Sequence, residues 1–227
     1  ADYGMAGNGT LSTKGTQKLL DAALHYGISA FDTAAEYGNA ETVLGHYLAR
    51  EGRRDAVRII TKLKPDVLDS IPAEKYDTVL SDNVEAHMRR LKTDHLDGLL
   101  FHNAAYAFRP DAIKSLIGIK RAGYVNAIGI SVYTPSEAEA ALQYDGLNII
   151  QVPYNVLDRR LDRSGFFKKA KALGKTVFAR SSLLQGLLTI PPDRLPKYLD
   201  FAIPYVMQFK ALCAAVALSP LACAVGF

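Results

Sequence analysis

One pattern recurs along this chain and leaves few folds open to it. A helical stretch with one apolar face is followed by a glycine, then by a short apolar run ending on a hydrogen-bonding side chain. Leu19, Leu20, Ala23 and Leu24 share a helical face before Gly27, and the run 28–31 follows. Ile113, Leu116 and Ile117 precede Gly123, with 127–130 beyond; Phe166, Phe167, Ala170 and Leu173 precede Gly174, with 176–179 beyond. Glycine just past a helix accepts the left-handed conformation that closes the last turn. Helix starts are written as clearly: Thr134-Pro135-Ser136-Glu137 joins an N-cap, a proline at the first helical position and a capping-box glutamate. Strands are expected at 28–32, 57–62, 97–102, 127–131, 148–152 and 175–180. Helices are expected near 16–26, 39–50, 72–91, 110–122, 135–143 and 163–173, with a further one from about 193. Runs that are apolar throughout, rather than alternating, suit a parallel sheet buried on both faces.

Six β-α units fit either a doubly wound open sheet or a TIM (β/α)8-type barrel. The strand ends decide between them. Asp32, Lys62, His102, Ser131, Gln151 and Arg180 each close an apolar run. In a barrel all six rim positions surround one pocket, whereas an open sheet shares a site only near its switch point. No Gly-x-Gly-x-x-Gly follows any of these strands. The expected fold is therefore a (β/α)8-type barrel, incomplete in this chain, with about six recognisable βα units and no first or last strand; a closed barrel usually takes about 250 residues. Without a linker rich in Pro, Gly or Ser, residues 1–227 read as one domain.

Charge and cysteine usage narrow the function. The net charge is +4, and the basic residues fall in scattered pairs, expected at solvated helix and loop ends, which argues against nucleic acid as a partner. The two cysteines, Cys213 and Cys223, have neither zinc-site spacing nor the number for a disulfide framework, and a reducing, cytoplasmic setting fits them. The first residues lack the basic and apolar regions of a signal peptide. Residues 211–227 carry no charge, but they are short of the roughly 20 needed to span a bilayer and include Pro220. They are expected to form a pair of buried short helices, and no membrane partner is expected.

Asp32, Tyr37, Lys62 and His102 together suggest a proton-handling site. A phenol is a poor acid at neutral pH, but a nearby ammonium favours the phenolate, and a carboxylate beside that lysine keeps the amine charged. Such a tyrosine could give a proton to a developing alkoxide, with the imidazole donating to the same oxygen. Hydride would come from a nicotinamide or a flavin. Each residue has a plainer explanation: a strand-end aspartate caps a turn, a lysine snorkels, a loop tyrosine packs, a loop histidine is satisfied locally. It is the conjunction on one rim that carries the reading. A Schiff-base aldolase could use Lys62 with Asp32 but leaves Tyr37 without a role. A metal hydrolase lacks a second histidine, so no metal is expected, and no Gly-x-Ser-x-Gly elbow is present.

At these residues the chain resembles the aldo-keto reductase family. Phe31-Asp32-Thr33-Ala34-Ala35-Glu36-Tyr37-Gly38 is similar to the family's segment after the second barrel strand, and Thr61-Lys62 to that after the third. Leu99-Leu100-Phe101-His102-Asn103 resembles the segment after the fourth. Ile128-Gly129-Ile130-Ser131 and Ile150-Gln151-Val152-Pro153-Tyr154-Asn155 resemble the fifth- and sixth-strand segments, and Asp2-Tyr3-Gly4-Met5-Ala6 the loop after the first. The resemblance implies NADP(H)-dependent reduction of an aldehyde or ketone, with NAD(H) as the other option. Tyr37 would be the acid, Lys62 and Asp32 would tune it, and His102 would orient the carbonyl. Ser131 and Gln151 would hold the nicotinamide carboxamide, with Arg180 and Ser181 also on the cofactor. Two positions depart from the family pattern: Val132 stands where an Asn is frequent, and Arg180 where a tyrosine often stacks on the nicotinamide. The alternative is a non-catalytic reductase-like module that senses nucleotide or binds a partner. The oligomeric state is left open.

Overall fold

The computed structural model describes residues 11–227. The Asp2–Ala6 segment of the family resemblance lies outside the described residues. Chain order is α1 (Thr13–His25), β1 (Ala30–Asp32), α2 (Ala40–Arg50), β2 (Arg58–Lys62), α3 (Tyr76–Leu91), β3 (Leu96–Phe101), α4 (Pro110–Arg121), β4 (Val125–Ser131), α5 (Pro135–Leu142), β5 (Ile149–Pro153), α6 (Arg160–Ser164), α7 (Phe166–Ala172), β6 (Thr176–Arg180), α8 (Ile203–Ala215) and α9 (Pro220–Gly226). The six strands lie in one sheet in the order of the chain, and the registered pairs from β1 to β5 are all parallel. This is the strand order of an incomplete (β/α)8-type barrel. Every expected strand is present within a few residues of its expected bounds. The helix expected over 163–173 is instead broken into α6 and α7 at Gly165, whose φ of 67° is left-handed. The Thr134 capping box forms as read, and Gly27, Gly123 and Gly174 all take positive φ.

The chain divides into two compact units. The larger comprises Leu11–Val152 with Ser164–Phe178, and the smaller includes Pro153–Arg163 and Ala179–Phe227. In the larger unit, side chains alternate between the two faces of each strand. Leu99, Ile128, Ile130 and Ile150 are fully buried on one face. On the other, Ile60, Leu100 and Ile149 form a layer with Ala127 and Phe178. Two glycines make room for that layer. A Cβ on Gly98 would lie 2.7 Å from Ile60 Cδ1, and one on Gly129 would lie 2.0 Å from the Ile149 carbonyl oxygen. Burying each large aliphatic side chain contributes about 1.5–3 kcal/mol.

The first unit of the pattern departs from expectation. No residue of α1 is buried, Leu19 is exposed, and β1 is only partly covered, unlike β2–β5. Of the basic pairs, Arg159-Arg160 and Lys168-Lys169 are exposed as expected, but one member of each of the other two is not a free solvated end. Arg54 Nη2 donates to Asp97 Oδ2 at 2.8 Å, and Arg90 Nε donates to Glu41 Oε2 at 2.6 Å. Both arginines are anchored by carboxylates of other elements.

The smaller unit is built on two apolar clusters, one of Leu187, Leu195, Ala202 and Val206, the other of Leu188, Phe209, Cys213 and Ala224. The uncharged tail does form helices, α8 and α9, but they are not buried ones. Leu212, Val216, Leu221 and Val225 are all exposed. No single helix among the described residues is long and apolar enough to cross a membrane, and the pair formed by residues 197–215 and α9 is bent by 92°.

Candidate active site

Two residues beyond the inner layer along each strand, on the same face, stand the polar strand ends. Asp32 follows Ala30, Lys62 follows Ile60, His102 follows Leu100, Ser131 follows Gly129, and Gln151 follows Ile149. The parallel registers align these ends, with Lys62 opposite Leu100 and Ser131 opposite Gln151. Lys62 is fully buried. A buried ammonium is costly unless it is paired and hydrogen-bonded. Lys62 Nζ donates to Asp32 Oδ2 at 2.7 Å and to the Thr33 carbonyl at 2.8 Å. Asp32 is 37% exposed, so one end of the pair reaches solvent.

Tyr37 arrives from the turn between β1 and α2. Its amide donates to the Ala34 carbonyl at 3.1 Å, and Gly38 follows with φ 60°. The ring is 40% exposed. Lys62 Nζ lies 5.1 Å from the ring centroid, within cation–π range. The Tyr37 and His102 rings meet edge to face, 5.8 Å between centroids and 83° between planes. Asp32, Tyr37, Lys62 and His102 thus come from four separate segments to one place. The arrangement sets a phenol between a fixed positive charge and an imidazole, open to solvent on one side.

Gln151 and Ser131 belong to the same unit. Ser131 is almost fully buried at the end of β4. Gln151 Nε2 donates to Asp32 Oδ1 at 3.0 Å, joining β5 to β1 across the interior face. No local pattern signals this bond, because its partners are 119 residues apart. Gln151 Oε1 is buried and has no hydrogen-bond partner among the described residues. Val132, at the position where the family frequently has Asn, is buried, and its amide donates to the Gln151 carbonyl. Arg180 and Ser181 are placed differently. They belong to the smaller unit, where Arg180 Nη1 donates to Ser181 Oγ at 3.3 Å. Among the described residues no cluster of three or more His, Cys, Asp or Glu could hold a metal ion.

A second polar cluster lies on the opposite face of β2. Glu41 of α2 is buried with Thr61 of β2 and His87 of α3, and the half-buried Arg90 of α3 closes over it. The only sequence signal for it is a carboxylate four residues after Tyr37 and an i, i+3 His-Arg pair on α3. Both look like ordinary helix surface.

Comparison with known proteins agrees with the geometry. Residues 3–202 match the model of the aldo/keto reductase family. A 6-dehydroglucose reductase of Novosphingobium aromaticivorans is 28% identical, over 88% of this chain and 69% of that protein. An NADH-specific methylglyoxal reductase of Escherichia coli is 29% identical, over 85% of this chain and 64% of that protein. Among solved structures, an aldo-keto reductase from Bacillus halodurans superposes with a TM-score of 0.65 at 25% identity, covering 83% of this chain and 61% of that one. The chain thus spans about two thirds of the length of each of these relatives. A family model matched over most of the chain, on a fold with the family's strand order, leads to one conclusion: this chain belongs to the aldo/keto reductase family.

Proposed function

We propose that the protein reduces an aldehyde or ketone to an alcohol with a nicotinamide cofactor, NADP(H) or NAD(H). The observation that carries this reading is the buried Lys62 ammonium, 2.7 Å from Asp32 and 5.1 Å from the Tyr37 ring. When bound, the reduced nicotinamide supplies the hydride. The chain's own residues handle the proton and hold the reactants. A carbonyl accepting hydride develops negative charge on oxygen, and Tyr37 Oη is the group proposed to give that oxygen a proton. The Lys62 charge stabilises the phenolate left behind, and Asp32 keeps Lys62 charged. His102, against the Tyr37 ring edge, is proposed to donate to the same oxygen and set the carbonyl's direction.

The residues proposed to hold the cofactor suit a carboxamide. Gln151 offers a buried acceptor, Oε1, to an amide NH2, and the Ser131 hydroxyl can donate to an amide carbonyl. For Arg180 and Ser181 the cofactor role rests on the family resemblance alone. The relatives' names, a 6-dehydroglucose reductase and a methylglyoxal reductase, favour a small polar carbonyl as substrate. A Schiff-base role for Lys62 is disfavoured by its two short hydrogen bonds, to Asp32 and to a carbonyl, which hold it as ammonium rather than free amine. Both described cysteines are free thiols, consistent with a reducing, cytoplasmic setting.

Tyr37→Phe tests the reading. It should lower carbonyl turnover by at least about 10²-fold while leaving nucleotide binding, followed by quenching of NADPH fluorescence, within about threefold. Full turnover in Tyr37→Phe would refute the tyrosine assignment. An absence of NADPH and NADH binding would favour the partner-binding form of the non-catalytic module.

A further inference from the structure

β2 faces two polar clusters at once. Lys62 points to the face that holds Asp32, and its neighbour Thr61 points to the opposite face, as successive strand residues must. On that opposite face the Thr61 hydroxyl donates to Glu41 Oε1 at 2.5 Å. Glu41 is the second residue of α2 and follows Tyr37 by four positions. The same oxygen accepts from His87 Nδ1 at 2.6 Å, and Glu41 Oε2 accepts from Arg90 Nε at 2.6 Å. Glu41, Thr61 and His87 are essentially inaccessible to solvent. Close packing holds the same two helices. A Cβ on Gly45, one turn on from Glu41, would lie 2.5 Å from the Arg90 carbonyl oxygen, so α2 and α3 touch backbone to backbone. Burial alone would push the Glu41 carboxyl up; His87, Thr61 and Arg90 outweigh it and hold the group below the ordinary glutamate range.

We propose that Glu41 and Thr61 are positioning residues for the reaction: their hydrogen bond fastens the start of α2, and with it the Tyr37 turn, to the end of β2 that carries Lys62. Neither side chain reaches substrate or cofactor in this scheme. They fix the spacing between phenol and ammonium from behind the strand, while α3 clamps the carboxylate through His87 and Arg90. The inference rests on the roles given above to Tyr37 and Lys62.

Thr61→Val cuts this link alone. It keeps the shape of the side chain and leaves Glu41 with both α3 partners. Misplacement of a reacting group by a fraction of an ångström should lower kcat for carbonyl reduction about tenfold while KM stays within about twofold, with Thr61→Ser restoring the wild-type value. A loss of packing alone would not give that split or that rescue. A second readout is independent of turnover. The Tyr37 ring resonances, assigned by their disappearance in Tyr37→Phe, should move in Thr61→Val because the ring shifts against His102 and Lys62. A folded Thr61→Val protein with wild-type kcat and unmoved Tyr37 resonances overturns the proposal. Should Tyr37→Phe keep its turnover, the tyrosine assignment fails instead, and the resonances alone then decide whether the link sets the ring. If Thr61→Val does not fold, Glu41→Asp, which keeps the charge but draws the carboxylate back by one methylene, is judged by the same two readouts.

Discussion

The two polar clusters on either side of β2 use the same kinds of group to opposite ends. On one side a carboxylate, an ammonium, a phenol and an imidazole meet with Asp32 and Tyr37 partly open to water. On the other a carboxylate, a hydroxyl, an imidazole and a guanidinium meet with the carboxylate sealed in, both its oxygens engaged. The difference lies in what is left over. The inner cluster keeps an unclaimed amide oxygen on Gln151, whereas the oxygens of the outer carboxylate are used up between secondary-structure elements.

Substitutions at three residues would break or sharpen that contrast. Lys62→Met has the largest expected effect. Removing the ammonium should cut carbonyl turnover by about 10²-fold or more, measured by steady-state NADPH oxidation. Retained turnover would deny the inner cluster its chemical role. Glu41→Ala acts on the outer cluster and should show first in stability. It strands the buried His87 and half-frees Arg90, at a cost of about 3 kcal/mol in urea unfolding. The pH dependence has a definite sign. Glu41 binds its proton less readily folded than unfolded, so its contribution is complete above the ordinary glutamate range and is lost as pH falls through the lowered folded value. Glu41→Gln should therefore flatten the acid limb of the stability profile, and an unchanged limb would contradict the assignment. The smallest effect belongs to neither cluster. Thr134→Ala removes the α5 cap and should cost about 1 kcal/mol while leaving kcat unchanged. A turnover loss there would show that kcat follows general stability, and the contrast would lose its meaning.

The inner cluster was legible in the sequence for a physical reason. Each member stands at or just past the end of an apolar run, and parallel pairing carries such ends to one rim whatever the helices between them do. Asp32, Lys62 and His102 could be placed together because strand direction alone dictates it. The outer cluster was not legible, because helix-to-strand packing decides which face of α3 is covered, and His87 and Arg90 carry no local mark of burial. The same limit explains α1 and the tail. Leu19 lies on the apolar face of α1 and Leu212 on the mostly apolar α8, but an apolar face is buried only where another element lies against it. Composition alone could not supply that element.

The hydrogen bond between Gln151 and Asp32 has a consequence for what the site can read. A carboxylate only accepts, so the amide must present its nitrogen there and cannot turn over without setting oxygen against oxygen. The polarity at the far end of the glutamine is thereby fixed by a residue on another strand. Any group that meets that oxygen must arrive carrying a hydrogen. On the proposed reading, a primary amide would be accepted at that oxygen and the corresponding carboxylate refused.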